Sequence, residues 1–262
     1  MSRSLPASAQ TRRERRAAAR LERAPRHRNR TRSANRSALR SPMVLVTLAA
    51  VAIGLAVVAF ALPKEAPREE LRVPPTSYEA GLVDGEVLGA ANAPVLLEVY
   101  ADFQCPACRL FVTTQLERLT SDFVRPGIVR IQARDIAFLG RGTFDESLEL
   151  AVGAACAAQQ DRYWQFHDLV FWNQGRENRG DHDAGFVAQV ADQAMVDRSA
   201  WDACVAGDER RDAIRSATAQ ALGAGIGSTP TLVVGGERIV GVPDYEQLAA
   251  MIRAQAGIPV AS

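Results

Sequence analysis

The chain has 262 residues, 47% of them hydrophobic and 23% charged, which suits one globular domain with additional segments. Its net charge of +1 is the sum of two unlike parts: residues 1–42 hold thirteen arginines against Glu14 and Glu22, a net +11, which leaves −10 for the remainder. That asymmetry excludes treating the chain as one electrostatic object and predicts a basic arm ahead of an acidic folded part.

The arm, residues 1–42, is poor in apolar side chains and self-repelling, so disorder is expected there. It contains no aromatic residue. Its reading is therefore topology and attraction to anionic lipid headgroups, with no nucleic-acid partner. Residues 43–62 read MVLVTLAAVAIGLAVVAFAL, twenty residues without a charge, bracketed by Pro42 and Pro63. At about 1.5 Å per residue such a helix spans roughly 30 Å, the hydrocarbon thickness of a bilayer. The arginines on its N-terminal side put residues 1–42 in the cytoplasm and the rest of the chain outside, a single-pass anchor with its N-terminus inside. The alternative is a cleaved signal peptide, for which Ala59-Phe60-Ala61 offers a small-x-small site. The apolar run is longer than a signal core of about 7–15 residues, which favours retention. Residues 63–82, rich in proline and glutamate, read as a linker.

Within the exported part, Val83 to Leu88 reads as a short edge strand, and Val95 to Tyr100, apolar and β-branched, as a buried one. Cys105-Pro106-Ala107-Cys108 follows, then a helical pattern through Leu119 that Pro126-Gly127 ends. Ile128 to Ala133 alternates like a second strand. From about 143 to 222 strand signals vanish and apolar residues recur at helical spacing. Four or five short helices are expected, with Gly175, Gly180 and Gly185 in the loops. Strands return at Thr231–Val234 and Arg238–Val240 around Gly235-Gly236, a hairpin signal. Asp244 is a good N-cap for a last helix over Tyr245–Gln255. Short strands alternating with helices predict an α/β domain, a mixed sheet covered by helices, with the helical block inserted between the second strand and the hairpin.

The chemistry lies in Cys105-x-x-Cys108, because a strand precedes it and a helix opens at it. Unpaired N–H groups and the partial positive charge of a helix N-terminus stabilise a thiolate on Cys105, the nucleophilic form. Pro106 suits the first helical position, where its missing N–H costs nothing. Cys108, three residues on, shares a face with Cys105 and can resolve a mixed disulfide. A zinc site uses the same spacing but wants a second close pair of ligands, and Cys156, His167, His182 and Cys204 supply none. No metal or other cofactor is expected. A second signal is Gly225-Ile226-Gly227-Ser228-Thr229-Pro230, entering a strand. Pro230 is a candidate for a cis bond, against the plainer reading of a trans turn proline.

Three stretches together resemble the DsbA-like branch of the thioredoxin superfamily, a branch with membrane-tethered bacterial members. They are Asp102-Phe103-Gln104-Cys105-Pro106-Ala107-Cys108-Arg109, Tyr163-Trp164-Gln165-Phe166-His167-Asp168 and Gly227-Ser228-Thr229-Pro230-Thr231. The resemblance covers residues 83–257. It implies a thioredoxin-like fold with an inserted helical subdomain, here preceded by one transmembrane helix. It also implies a cis Thr229–Pro230 bond beside the cysteines, substrate binding along the backbone of Thr229, and a Pro230 that keeps metal off the thiols. Implied partners are exported cysteine-containing proteins and a membrane quinone-linked reoxidising enzyme of the DsbB or VKOR type. Two departures stand out. The position six residues before Cys105, which in such proteins often carries a buried carboxylate that accepts a proton during resolution, is Val99, and alternation sends Glu98 to the other face, so Glu98 is not assigned a catalytic role. The dipeptide Pro106-Ala107 lacks the histidine of the strongest oxidants, which leaves open whether the domain oxidises, reduces or isomerises. A noncatalytic binding module on the same fold is the reading from another class.

Cys156 and Cys204 both fall in the helical block. Two buried free thiols are one reading. An oxidising compartment favours a structural disulfide, and its loop of roughly 47 residues would contribute about 4 kcal/mol. His167 reads as a packed helix residue, His182 as an exposed one in a polar loop, and Asp208–Asp212 as a solvated helix face. Trp164, Trp172 and Trp201 read as core.

Overall fold

The computed structural model describes residues 42–61, 69–79 and 81–259. Apart from Pro42, the expected basic arm lies outside them, as does the linker segment 63–68. The chain divides into Met1–Arg68 and Glu69–Ser262.

In the first part, helix α1 (Pro42–Ala61) takes up the apolar run. Thr47, its one hydroxyl, bonds back to the carbonyls of Met43 and Val44 at 3.1 and 2.9 Å, so the helix satisfies its own polar side chain. Met43, Val46, Val51 and Ile53 stay largely exposed. The structure describes the side chains of only part of this helix, and among the described residues no helix is long and apolar enough to cross a membrane.

The second part is built on a six-stranded sheet: β1 (Val83–Asp84), β2 (Val87–Leu88), β3 (Val95–Ala101), β4 (Val129–Asp135), β5 (Thr231–Val234) and β6 (Glu237–Val240). Spatial order is β1-β2-β4-β3-β5-β6. Only β3 and β4 run parallel, in register from Val95↔Val129 to Ala101↔Asp135. β5 lies antiparallel on the other side of β3, with Tyr100 opposite Thr231. Alternation does what period two requires: Val95, Leu97, Val99 and Ala101 are buried, while Glu98 points the other way and pairs with Arg134 at 2.8 Å. The expected edge strand at Val83–Leu88 is a tight hairpin, β1 and β2, whose second strand joins β4. The β5–β6 turn holds Gly235 and Gly236 at φ +57° and +87°, the left-handed pair that a two-residue hairpin needs.

The helix that opens at Cys105 and carries Cys108 starts as α2 (Pro106–Phe111). It widens to π-type winding at Val112–Leu116, returns through α3 (Glu117–Leu119) and widens again at Thr120–Val124. Thr113, Thr114 and Thr120 each donate a side-chain hydrogen bond to the carbonyl four residues back. That competition for the backbone acceptor accompanies the wider turns.

The helical block is five helices: α4 (Glu146–Ala158), α5 (Tyr163–Trp172), α6 (Ala184–Gln193), α7 (Arg198–Ala206) and α8 (Asp208–Gly223). Asp145, Asp183 and Asp197 cap α4, α6 and α7 by accepting from Leu148, Phe186 and Ala200. Gly185, expected in a loop, is the second residue of α6 because Asp183 starts the helix just before it. Buried α4 is the hub, packing on α5, α6, α7 and α8. A Cβ on its Gly153 would meet Phe166 at 2.8 Å, and Trp201 donates its indole N–H to the Gly153 carbonyl. Helix α9 (Tyr245–Gln255), capped by Asp244, closes the fold. The result is a thioredoxin-like α/β core with an inserted helical subdomain. Trp164 and Trp201 are core and Trp172 is half-buried.

Candidate active site

Strand β3 ends at Ala101 and α2 begins at Pro106, so the turn between them delivers Cys105 to the helix mouth. Cys105 is the N-cap, with extended φ −73° and ψ 119°, and Pro106 takes the first helical position. Both cysteines are free thiols. Cys105 keeps 7% exposure and Cys108 1%, so an incoming sulfur can reach only the first.

The site completes itself across the sheet. The Thr229–Pro230 bond is cis, and Cys105 Sγ lies 3.3 Å from the Thr229 carbonyl oxygen. Sequence separation of 124 residues collapses here because β5 pairs with β3, bringing the start of β5 beside the end of β3. Pro230 and Val99 line a small cavity with Cys108.

The two thiols ionise very differently. The Cys105 thiol is lowered to about 5. The largest cause is the hydrogen bond from the Cys108 thiol, followed by help from Thr229 and the backbone N–H groups of Cys108 and Ala107, against the opposing effect of burial. Burial pushes the Cys108 thiol well up, and its hydrogen bond to Cys105 and the charge there push it further. At neutral pH the pair is thus a thiolate held by a thiol. That arrangement can attack a disulfide, or leave one, at Cys105.

A polar frame holds the turn. Asp102, buried, accepts from the backbone N–H groups of Gln104, Phe138 and Leu139 and from the Ser147 hydroxyl at 2.7–3.1 Å. Gln104 donates to Ser147 and accepts from the Asn178 N–H. Gln174 donates to the carbonyls of Phe103 and Cys105 at 2.7 and 3.1 Å. The loop carrying Gln174 and Asn178 is anchored by His182, whose Nε2 accepts from the Gly175 N–H at 2.9 Å while Nδ1 donates to Glu146 at 2.7 Å. His182 is fully buried, not exposed as its polar neighbours suggested: Glu146, itself buried, gives it a partner inside. His167 is packed against Phe103, Tyr163, Trp164 and Phe171 and bonded to Asp168.

These supporting residues were not singled out from the sequence. Asp102 and Gln104 stood inside the cysteine motif, which was a signal. Gln174, Asn178 and Asp135 carried none, since only the fold brings them near. The second strand runs to Asp135, two residues beyond its expected end, and so places that carboxyl level with Ala101. Cys156 and Cys204, in α4 and α7, are joined with S–S 2.01 Å and Cα–Cα 5.8 Å. Among the described residues, no three His, Cys, Asp or Glu side chains gather so as to hold a metal ion.

The chain is similar to known proteins. A probable disulfide bond formation protein D from Bacillus anthracis is 26% identical over 168 residues, covering 63% of this chain and 75% of that protein. A protein of the same description from Bacillus cereus is 35% identical over 91 residues, 34% of this chain and 41% of its own length. The solved structure of oxidised BdbD from Bacillus subtilis matches with a TM-score of 0.60 at 20% identity, covering 66% of this chain and 94% of that one, a likeness of fold. A family model described as thioredoxin matches residues 82–254, and with its cysteine pair at the mouth of α2 the chain belongs to that family, as a DsbA-like thiol–disulfide oxidoreductase.

Proposed function

We propose that the domain donates disulfides to exported proteins, with Cys105 as the attacked sulfur, Cys108 as the resolving one, and Thr229 and Pro230 as the surface along which an extended client segment lies. The observation that carries this is the Cys105 thiol, lowered to about 5. A stabilised thiolate exists only in the reduced protein, so it favours dithiol over disulfide and makes the disulfide form an oxidant. A thioredoxin-type reductase reading requires a less stabilised thiolate, near about 7.

The compartment and anchor belong to the same proposal. The Cys156–Cys204 disulfide suits an oxidising surrounding. The apolar run from Met43 to Leu62, behind thirteen arginines, supports a single-pass anchor with the arm inside and the catalytic domain outside. Tethering would raise the effective concentration of the domain near a membrane-bound, quinone-linked reoxidising partner of the DsbB or VKOR type.

Equilibration of the full chain with glutathione tests the direction of transfer. A potential toward about −120 mV is expected, and one near about −270 mV would make the domain a reductase. In cells, Cys108→Ala should accumulate mixed disulfides on Cys105; their absence would support the noncatalytic binding module instead. The mass of the N-terminus of the mature protein separates a retained anchor from a cleaved signal peptide.

A further inference from the structure

Cys108 must change its proton each time the pair opens or closes, yet it is 1% exposed and its thiol is pushed well above the ordinary value. The protein therefore needs a group that reaches both this sulfur and water. A cavity of about 10 Å³, close to the size that holds one water molecule (roughly 10–15 Å³), lies against Cys108. Asp135 and Tyr163 line it, as do His167 and Trp164. The indole N–H of Trp164, one of the lining residues, has no hydrogen-bond partner. On the other side of β4, a groove of about 590 Å³ runs between the sheet and α8, and Asp135 lines that as well, with Glu86, Arg134 and Arg210. Asp135 is the one titratable side chain common to the two walls.

We propose that Asp135 is the proton relay of the resolving cysteine, exchanging a proton with Cys108 across the small cavity and with solvent through the groove walled by Glu86 and α8. This rests on the disulfide-exchange reading of the pair. When a client thiolate attacks Cys105 Sγ, the Cys105–Cys108 bond breaks, Cys108 leaves with the electron pair, and Asp135 gives it a proton. In the reverse direction Cys108 Sγ–H yields its proton to the Asp135 carboxylate. Its sulfur then bonds Cys105, and the client sulfur leaves with its electron pair as thiolate. Glu86 and the groove return a proton to Asp135 after the first step and take the extra one from it after the second. Asp135 is a positioning group for the proton, since it acts through the cavity.

The electrostatic setting suits the task. Burial raises the Asp135 carboxyl well above the ordinary range, Glu86 and Asp102 add to the rise, and the hydrogen bond from Tyr163 (2.8 Å) opposes it. Glu86 is itself raised by burial and held back by Arg134 and Arg210. The remaining ionisable groups around Asp135 are Cys108 and His167 at the cavity and Tyr100 at the groove, with Asp168 bonded to His167 behind.

The test uses the full chain with its Cys105 sulfur joined to glutathione, and follows release of glutathione by Cys108 in single turnover across pH. The wild-type rate should rise through the ionisation of Asp135 toward a plateau. Asp135→Asn should lose that rise and slow release at least tenfold at neutral pH, leaving only the dependence of the Cys108 thiol on hydroxide. Glu86→Gln, which removes a neighbouring negative charge, should move the midpoint down. Tyr163→Phe, which removes a hydrogen bond to the carboxylate, should move it up. Opposite shifts are a signature that a packing role would not produce, and they decide the matter even if Asp135→Asn does not fold. A wild-type pH profile in Asp135→Asn, or midpoints that stay put in the other two, overturns the relay while leaving disulfide exchange intact. Failure of the wild-type protein to form or resolve the glutathione adduct overturns the exchange reading itself.

Discussion

Cys105 and Asp135 are tuned in opposite senses, and each has a consequence for stability that can be measured apart from turnover. The Cys105 thiol sits at about 5 in the folded reduced protein and near about 8.5 in an unfolded chain. Its folded value is depressed, so its contribution is complete above the unfolded value and is lost as pH falls through the folded one. The reduced protein should lose its stability advantage over the oxidised one between about pH 8.5 and about pH 5, read as converging denaturant midpoints. Thiolate absorbance should titrate with a midpoint near pH 5 and vanish in Cys105→Ser; a midpoint near 8.5 would contradict the described hydrogen bonds. For Asp135 the sign reverses. Its carboxyl is raised, so the folded state binds the extra proton and stability falls as pH climbs from about 4. Asp135→Asn keeps an acceptor for Tyr163 and should be more stable than wild type at neutral pH, the gap closing toward about pH 4.

At the scale of elements, the turn between β3 and α2 is held from two other places in the chain, helix α4 and the loop that carries Gln174 and Asn178. Gln174 lies 69 residues beyond Cys105 and bonds its carbonyl, and Ser147 and Asn178 hold Gln104. Removing one partner of a buried hydrogen bond leaves the other unsatisfied, at about 1–3 kcal/mol. Gln174→Ala should cost about that much in equilibrium unfolding and raise the midpoint of Cys105 ionisation, because the turn that aims the N–H groups of Ala107 and Cys108 loosens. An unchanged midpoint would mean that α2 alone orders the thiolate. The cysteine turn and its helix were legible in the sequence because a proline at the first helical position and an apolar strand before it are local signals. The brace was not, since glutamine and asparagine in a polar loop look the same whether they face water or a carbonyl. His182 shows this most clearly: a polar neighbourhood in sequence became a buried pair with Glu146.

Across the whole domain, the inserted helices are tied together by Cys156–Cys204, which joins α4 to α7 over a separation of 48 residues. In the chain-entropy view such a loop stabilises by about 4 kcal/mol. Replacing both cysteines with alanine should lower unfolding stability by up to that amount, while Cys105 ionisation stays where it is, because neither sulfur lines the cavity beside Cys108. A shifted Cys105 midpoint would show that the insertion's packing reaches the site.

What the amino-acid order settled alone was whatever depends on neighbours along the chain: strand and helix periods, the Gly235-Gly236 turn, the Asp244 cap and the cysteine pair opening a helix. Those are short-range sterics and hydrogen bonds, and they survive without knowledge of the rest. The tertiary structure alone decided which distant groups share a space. It set Thr229 against Cys105 through the pairing of β5 with β3, and put Asp135 between a buried thiol and a groove through the parallel register of β4. A carboxyl's ionisation depends on what surrounds it in three dimensions, and that surrounding is assembled from strands and helices that no local pattern brings together.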